Sequence, residues 1–178
     1  MDAETLAVGR ETARDTTEAE FREIFAASYP RLLVQLYGVT GNAAEAEDLV
    51  QEAFVRAAAT GKKFIGLDNP EAWLRTVAIN SHRSRWRKQR NFARIRDRAA
   101  SRPPDLPALE DRIDVIDALR RMPASQREVV ALHYLADLDI AEVARTLRIA
   151  EGTVKSRLSR GREALALALA DEEESDHV

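Results

Sequence analysis

The strongest constraint on the fold of this chain lies in residues 139–169, where two short apolar periodicities are separated by only three residues. Ile140, Val143, Ala144 and Leu147 recur at i, i+3, i+4 and i+7, and Asp139 stands three residues before Glu142 in a capping-box pattern. This predicts one short amphipathic helix with a defined start. After Arg148, Ile149 and Ala150, a second helix carries Val154, Leu158, Gly161 and Leu165 within a wedge of roughly 60° at about 100° per residue. Gly161 on that inner stripe permits another helix to approach closely. The opposite surface holds Ser156, Ser159 and Arg160, flanked by Thr153, Lys155, Arg157 and Arg162. Cations on a helix usually mark a solvated face, but here they concentrate on one of two paired helices, beside hydroxyls suited to phosphates and base edges. The expected unit is a helix-turn-helix.

The rest of the composition fits an all-α chain of 178 residues, with few Gly and Pro and an abundance of Ala, Leu, Glu and Arg. There is no cysteine, which rules out disulfides and thiolate metal sites and agrees with a reducing cytoplasm. No apolar run reaches bilayer length, and the acidic N-terminus lacks the features of a signal peptide, so no membrane insertion is expected. The net charge of −3 is unevenly spread. Acidic residues gather at the N-terminus, between Glu45 and Glu52 and in residues 171–174, whereas arginines gather between Arg75 and Arg102 and in the second helix of the helix-turn-helix. Such a chain can meet DNA with one surface and a protein with another.

In chain order, residues 1–17 show no periodicity and are expected to be disordered. A helical pattern starts at Glu18 with Phe21, Ile24 and Phe25, and Pro30 predicts a break before Leu32, Leu33, Leu36 and Tyr37. Gly41 ends the segment, and Asn42 with Glu45 opens a helix to about Thr60. In that helix Ala46, Leu49, Val50, Ala53, Phe54 and Ala57 form the apolar side, and Asp48, Gln51, Glu52 and Val55 the other. A loop over residues 61–68 precedes Asn69 and Pro70, the N-cap and first position of a long helix. Trp73, Leu74 and Val77 suit its core side. Arg75, Ile79, His82, Arg83, Trp86 and Arg90 share another side, an aromatic among cations that suits single-stranded DNA, although Trp86 is equally compatible with packing. The helical pattern fades after Arg98, and Pro103, Pro104 and Pro107 mark a linker over residues 99–111. Ile113, Ile116, Leu119 and Met122 then predict a helix ended by Pro123. Ser125 with Glu128 opens the next, whose core residues are Val129, Leu132 and Leu135. Two domains are expected, 18–98 and 112–170, followed by an acidic tail, 171–178.

Residues 151–162, EGTVKSRLSRGR, resemble region four of bacterial extracytoplasmic-function (ECF) sigma factors, members of the sigma-70 superfamily. Residues 46–54, AEDLVQEAF, resemble region two of the same family, and residues 69–80, NPEAWLRTVAIN, its −10 segment. The resemblance covers residues 21–169 apart from the linker. It implies two small helical domains joined by a flexible linker that threads the polymerase, and a cytoplasmic, nucleoid-associated transcription initiation factor that is not an enzyme and uses no cofactor. By carry-over, Thr153, Lys155, Ser156, Arg157, Ser159, Arg160 and Arg162 would meet the −35 element. Phe64, Asn80, Arg83 and Trp86 would serve −10 recognition and melting, with the loop over residues 64–68 forming the pocket for a flipped base. Asp48, Gln51 and Glu52 would dock on the β′ clamp helices of core RNA polymerase, with the β flap as a second contact and an anti-sigma factor as a candidate regulator. One departure is Ala150, at an N-cap position where the family often has Ser, which weakens the helix start by about 1 kcal/mol.

The competing reading is a conventional helix-turn-helix regulator that binds duplex DNA without entering the polymerase. An enzyme finds little support, since His82, His133 and His177 are scattered and no nucleophile-elbow or zinc-protease motif occurs.

Overall fold

Apolar residues spaced three and four apart, with Gly and Asn at the boundaries, become helices throughout the computed structural model, which describes residues 3–90 and 113–175. The elements are α1 (Ala3–Thr40), α2 (Ala43–Thr60), the short α3 (Lys62–Ile65), α4 (Pro70–Arg90), α5 (Ile113–Arg121), α6 (Ala124–Tyr134), α7 (Ile140–Leu147) and α8 (Glu151–Ser175). No strand occurs among the described residues. The expected linker, 99–111, lies outside them.

In the first module α1 packs on α2 and α4, and α2 on α4. Leu32, Leu33, Leu36 and Tyr37 of α1 are buried with Leu49, Val50, Ala53 and Phe54 of α2 and Leu74, Ala78 and Ile79 of α4. Asn42 starts α2 as expected, its side-chain oxygen accepting from the Glu45 amide at 2.9 Å. Two expectations for α1 are corrected. Residues 3–17 continue the helix, in keeping with a run of good helix formers, Ala, Leu, Glu and Arg, that carries no Gly or Pro apart from Gly9. Pro30 stays inside α1. Proline forfeits a single amide donor, and the buried run from Leu32 to Leu36 holds the helix together on its far side.

In the second module α6 packs against α8, α5 and α7, and both α5 and α7 touch α8. The close crossing of α8 over α6 depends on Gly161, where a Cβ would come within 2.4 Å of Val130 Cγ2 and 3.3 Å of Met122 Cε. The start of α6 differs from expectation. Its N-cap is Pro123, without a side-chain cap, and Ser125 and Glu128 form no capping box. Proline already holds the extended φ of −55° and ψ of 135° that an N-cap needs, so the helix begins two residues earlier and Glu128 is released to face His82. α8 runs on to Ser175, so residues 171–175 of the expected acidic tail are helical.

The two modules share one core rather than standing apart. The C-terminal half of α1 packs on α5 and α6. Gly38 makes this approach feasible, since a Cβ there would meet Leu135 Cδ1 at 2.4 Å and Ala131 Cβ at 3.2 Å. At the end of α1, buried Arg127 of α6 donates through Nε to the Val39 carbonyl at 3.0 Å and through Nη2 to the Thr40 carbonyl at 3.1 Å. The last carbonyls of a helix have no partner within it, so Arg127 caps α1 from the other module.

Replacing Gly161 by Val should lower stability by about 1–3 kcal/mol, because Val130 and Met122 cannot both move aside in a packed interior. Urea unfolding followed by circular dichroism measures this, and an unchanged midpoint would show that the α6–α8 crossing is not close.

Candidate nucleic-acid interface

The helix-turn-helix forms as its periodicity predicts. Asp139 and Glu142 complete a reciprocal capping box, with the Glu142 amide donating to Asp139 Oδ1 at 2.7 Å and the Asp139 amide to Glu142 Oε2 at 2.9 Å. The break at residues 148–150 falls where the sequence places it, but its backbone conformation was not legible there. Arg148 adopts the left-handed conformation, φ 51° and ψ 51°, where glycine is usual. The Ile149 amide then reaches back to the Ala144 carbonyl at 3.1 Å, and the Ile149 side chain packs on the core. A Schellman-type closure of this kind offsets the cost of about 1–2 kcal/mol for a side chain in that conformation. Ala150 starts α8 through its carbonyl, which accepts from the Thr153 and Val154 amides at 2.9 and 3.1 Å.

On α8, Val154 and Leu158 are buried and Leu165 packs partly against the core, so the opposite face looks outward. Lys155, Ser156, Ser159, Arg160 and Arg162 are exposed, while Thr153 and Arg157 are half-buried. Ser156 Oγ donates to the Thr153 carbonyl at 3.1 Å, leaving its lone pairs to accept. Five of the seven residues expected to meet DNA therefore share one open surface, and Arg157 turns to its edge.

The α4 surface is narrower than the sequence pattern suggests. Asn69 caps the helix by accepting from the Ala72 amide at 2.9 Å. Arg75 and His82, expected on the DNA-facing side, are buried. Arg75 donates to Gln35 Oε1 at 2.8 Å and to Glu71 Oε1 at 2.9 Å, and burial pushes its guanidinium pKa down against the pull of Glu71. His82 Nδ1 lies 2.8 Å from Glu45 Oε1. Their partners sit on α1 and α2 or a turn away, so a single-helix periodicity could not separate an inward cation from an outward one. Asn80 and Arg83 are half-buried and Trp86 is 45 % exposed, and these three line a cleft of about 380 Å³ together with Arg87. Across it stand Ser125, Glu128, Arg148 and Arg157 of the second module.

Phe64 is corrected from DNA contact to core. It is fully buried, 5.9 Å from the Phe21 ring and 5.3 Å from the Trp73 ring, and it anchors α3, the helical turn formed where a plain loop was expected. An aromatic between lysines and a glycine reads as a loop tip, and only the tertiary fold shows that it points inward. Trp73 is core, as expected.

On α2, Asp48 and Gln51 are exposed, and Gln51 Nε2 donates to Glu47 Oε1 at 3.1 Å. Val55 on the same face is 69 % exposed, and Phe25 of α1, 41 % exposed, stacks on Tyr29 and adjoins Phe54. Glu52 departs from this outward set. Its Oε1 accepts from Ser81 Oγ at 3.0 Å and pairs with Arg56, and its Oε2 accepts from Arg85 at 2.7 Å, so it ties α2 to α4.

For Glu45 and Glu52, burial pushes the carboxyl pKa up. At Glu45 the hydrogen bond and charge of His82, with Arg85 and Arg127 nearby, more than offset this. At Glu52 Ser81, Arg85 and Arg56 do the same. Both carboxyls thus titrate below the ordinary 4.5.

Two helical modules, one of them ending in a helix-turn-helix with a basic outer face, define a DNA-binding protein. Comparison with known proteins gives the narrower class. Residues 24–92 match the family model for sigma-70 region 2, and residues 112–165 match the model for sigma-70, region 4. The chain is 38 % identical over 138 residues to the ECF RNA polymerase sigma factor SigL of Mycobacterium tuberculosis, covering 74 % of this chain and 78 % of that protein. It is 32 % identical over 151 residues to the ECF RNA polymerase sigma factor SigW of Bacillus subtilis, covering 76 % and 81 %. Among solved structures, the sigma factor RpoE of Bartonella quintana, crystallised with the anti-sigma factor NepR, superposes with a TM-score of 0.69 at 28 % identity, over 84 % of this chain and 96 % of that one. The chain belongs to the ECF family of RNA polymerase sigma factors. The conventional regulator is not favoured, because region 2 as well as region 4 is matched.

The depressed carboxyls set a sign for acid unfolding. A carboxylate whose folded pKa is lowered contributes stability that is fully present above its unfolded value and is lost as pH falls through the folded one. Between pH 6 and pH 3 the wild type should lose stability more steeply than the Glu45→Gln, Glu52→Gln double variant, read as urea midpoints. Parallel pH curves would show that these two carboxyls contribute nothing to acid unfolding.

Proposed function

We propose that this sigma factor binds core RNA polymerase through the exposed face of α2, reads the −35 element with α8 and engages the −10 strand with the outer end of α4. The observation that carries the division of labour is the partition of surface charge. Asp48 and Gln51 face solvent beside Val55 on one side, whereas the outer face of α8 is cationic and hydroxyl-bearing. Lys155, Ser156, Ser159, Arg160 and Arg162 are assigned to the −35 duplex, with Thr153 and Arg157 at the edge of that surface. Asn80, Arg83 and Trp86 are assigned to the −10 strand, with Trp86 as a stacking platform.

Asp48 and Gln51 are assigned to the clamp helices of the β′ subunit, and the second module to the β flap. Glu52 contributes indirectly, by holding α4 in register with α2. Such a protein works in the cytoplasm at the nucleoid and catalyses no reaction of its own. Because RpoE was crystallised with an anti-sigma factor, a protein of that kind is also a candidate partner of this chain.

Run-off transcription with purified core polymerase tests the assignment. Asp48→Arg should abolish co-migration with core and reduce transcript at least tenfold, a change of about 1.4 kcal/mol or more in binding. The Lys155→Ala, Arg160→Ala double variant should keep core binding, lose promoter selectivity and show a smaller salt dependence, since fewer counterions are released. If Asp48→Arg bound core as wild type does, the α2 assignment would be overturned.

A further inference from the structure

The cleft between α4 and the second module gathers charge that nothing among the described residues answers. Arg83 and Arg87 line one side of it and Arg148 and Arg157 the other, with Glu128 as the one carboxylate in its lining. None of these four guanidinium groups forms an ion pair or a side-chain hydrogen bond with a described residue. Other arginines of the first module are answered: Arg31 and Arg75 pair with Glu71, and Arg56 and Arg85 with Glu52. Four like charges collected on one cleft repel one another, and an anion held between them offsets that cost.

The rest of the lining narrows the kind of anion. Arg148 is held in the left-handed conformation at φ 51°, where glycine is unstrained, and strain of this sort is retained where a side chain is wanted. Ala124 and Ser125 open α6 without a side-chain cap and also line the cleft, and the first amides of a helix favour phosphate oxygens. A bare phosphate would leave the remaining groups idle. Trp86, 45 % exposed, adds an aromatic ring suited to stacking on a base, and Glu128 adds an acceptor for the N–H groups of that base. The volume of about 380 Å³ fits a small molecule and has no room for a DNA duplex.

We propose that this cleft is a binding site for a purine nucleoside di- or triphosphate, with the phosphates on Arg83, Arg87, Arg148 and Arg157 and the base on Trp86. The site stands on its lining alone, whereas one consequence rests on the functional reading above. Arg83 and Trp86 are also assigned to the −10 strand, so a bound nucleotide and that strand exclude one another.

Isothermal titration calorimetry on the full-length chain tests the site with ADP, GDP, adenosine and pyrophosphate. ADP or GDP should bind at least tenfold more tightly than adenosine or pyrophosphate, because only the nucleotide engages the cations and the ring together. Arg148→Gly removes one guanidinium while suiting the left-handed backbone. It should weaken nucleotide binding at least tenfold, with a urea midpoint no lower than that of the wild type. Trp86→Leu should bring nucleotide affinity down to that of pyrophosphate.

Failure of both ADP and GDP to bind at millimolar concentration, pyrophosphate binding as tightly as they do, or an Arg148→Gly chain that binds them as the wild type does would overturn the assignment. If the nucleotide binds as expected yet does not displace a labelled −10 single strand, the fault lies in the strand assignment of Arg83 and Trp86 and not in the site.

Discussion

A helix cannot satisfy its own last carbonyls, and in this sigma factor that local deficit is met by a residue 87 positions along the chain from Thr40. Arg127 is almost fully buried, and a guanidinium taken out of water is tolerated only when several acceptors replace the solvent. The end of α1 provides them, together with the negative end of the helix dipole. Gly38 and Gly41 clear the way by having no side chains where Leu135 and Arg127 arrive. The joint between modules consequently has buried Arg127 at the end of α1, with Leu135 and Ala131 packed over Gly38 beside it, in a core the two modules share.

Much of the helical layout was legible because it depends on local chemistry. The α2 stripe, the α7 capping box and the inward Gly161 of α8 each rest on residues a few positions apart, and each formed as its spacing required. What escaped the sequence depends on partners far along the chain. Arg75 and His82 read as surface cations because Gln35 and Glu45 lie 40 and 37 residues away. Phe64 read as a loop tip because Phe21, which covers it, belongs to a different helix. Arg127 did leave a trace, since it stands among the apolar positions of α6, but a charge in an apolar stripe does not say which helix end it will meet.

The surfaces assigned to function are organised by a similar division. Acidic residues of α2 point either to solvent, as Asp48 does, or inward, as Glu45 and Glu52 do toward His82, Ser81 and Arg85 of α4. The inward set fixes α4 against α2 and so braces the helix whose outer end is assigned to DNA. An acidic cluster in the sequence thus resolves into a group turned to solvent and an internal brace.

The unbroken course of α8 has a mechanical consequence. A helix of 25 residues is about 37 Å long and resists bending, and Gly161 seats it on α6 near its middle. The half that carries Lys155 and Ser159, seated through Val154 and Leu158, and the half that runs on to Ser175 therefore belong to one stiff rod. A displacement of its far end is carried to the surface assigned to the −35 element, with no break in the helix between the two to absorb it.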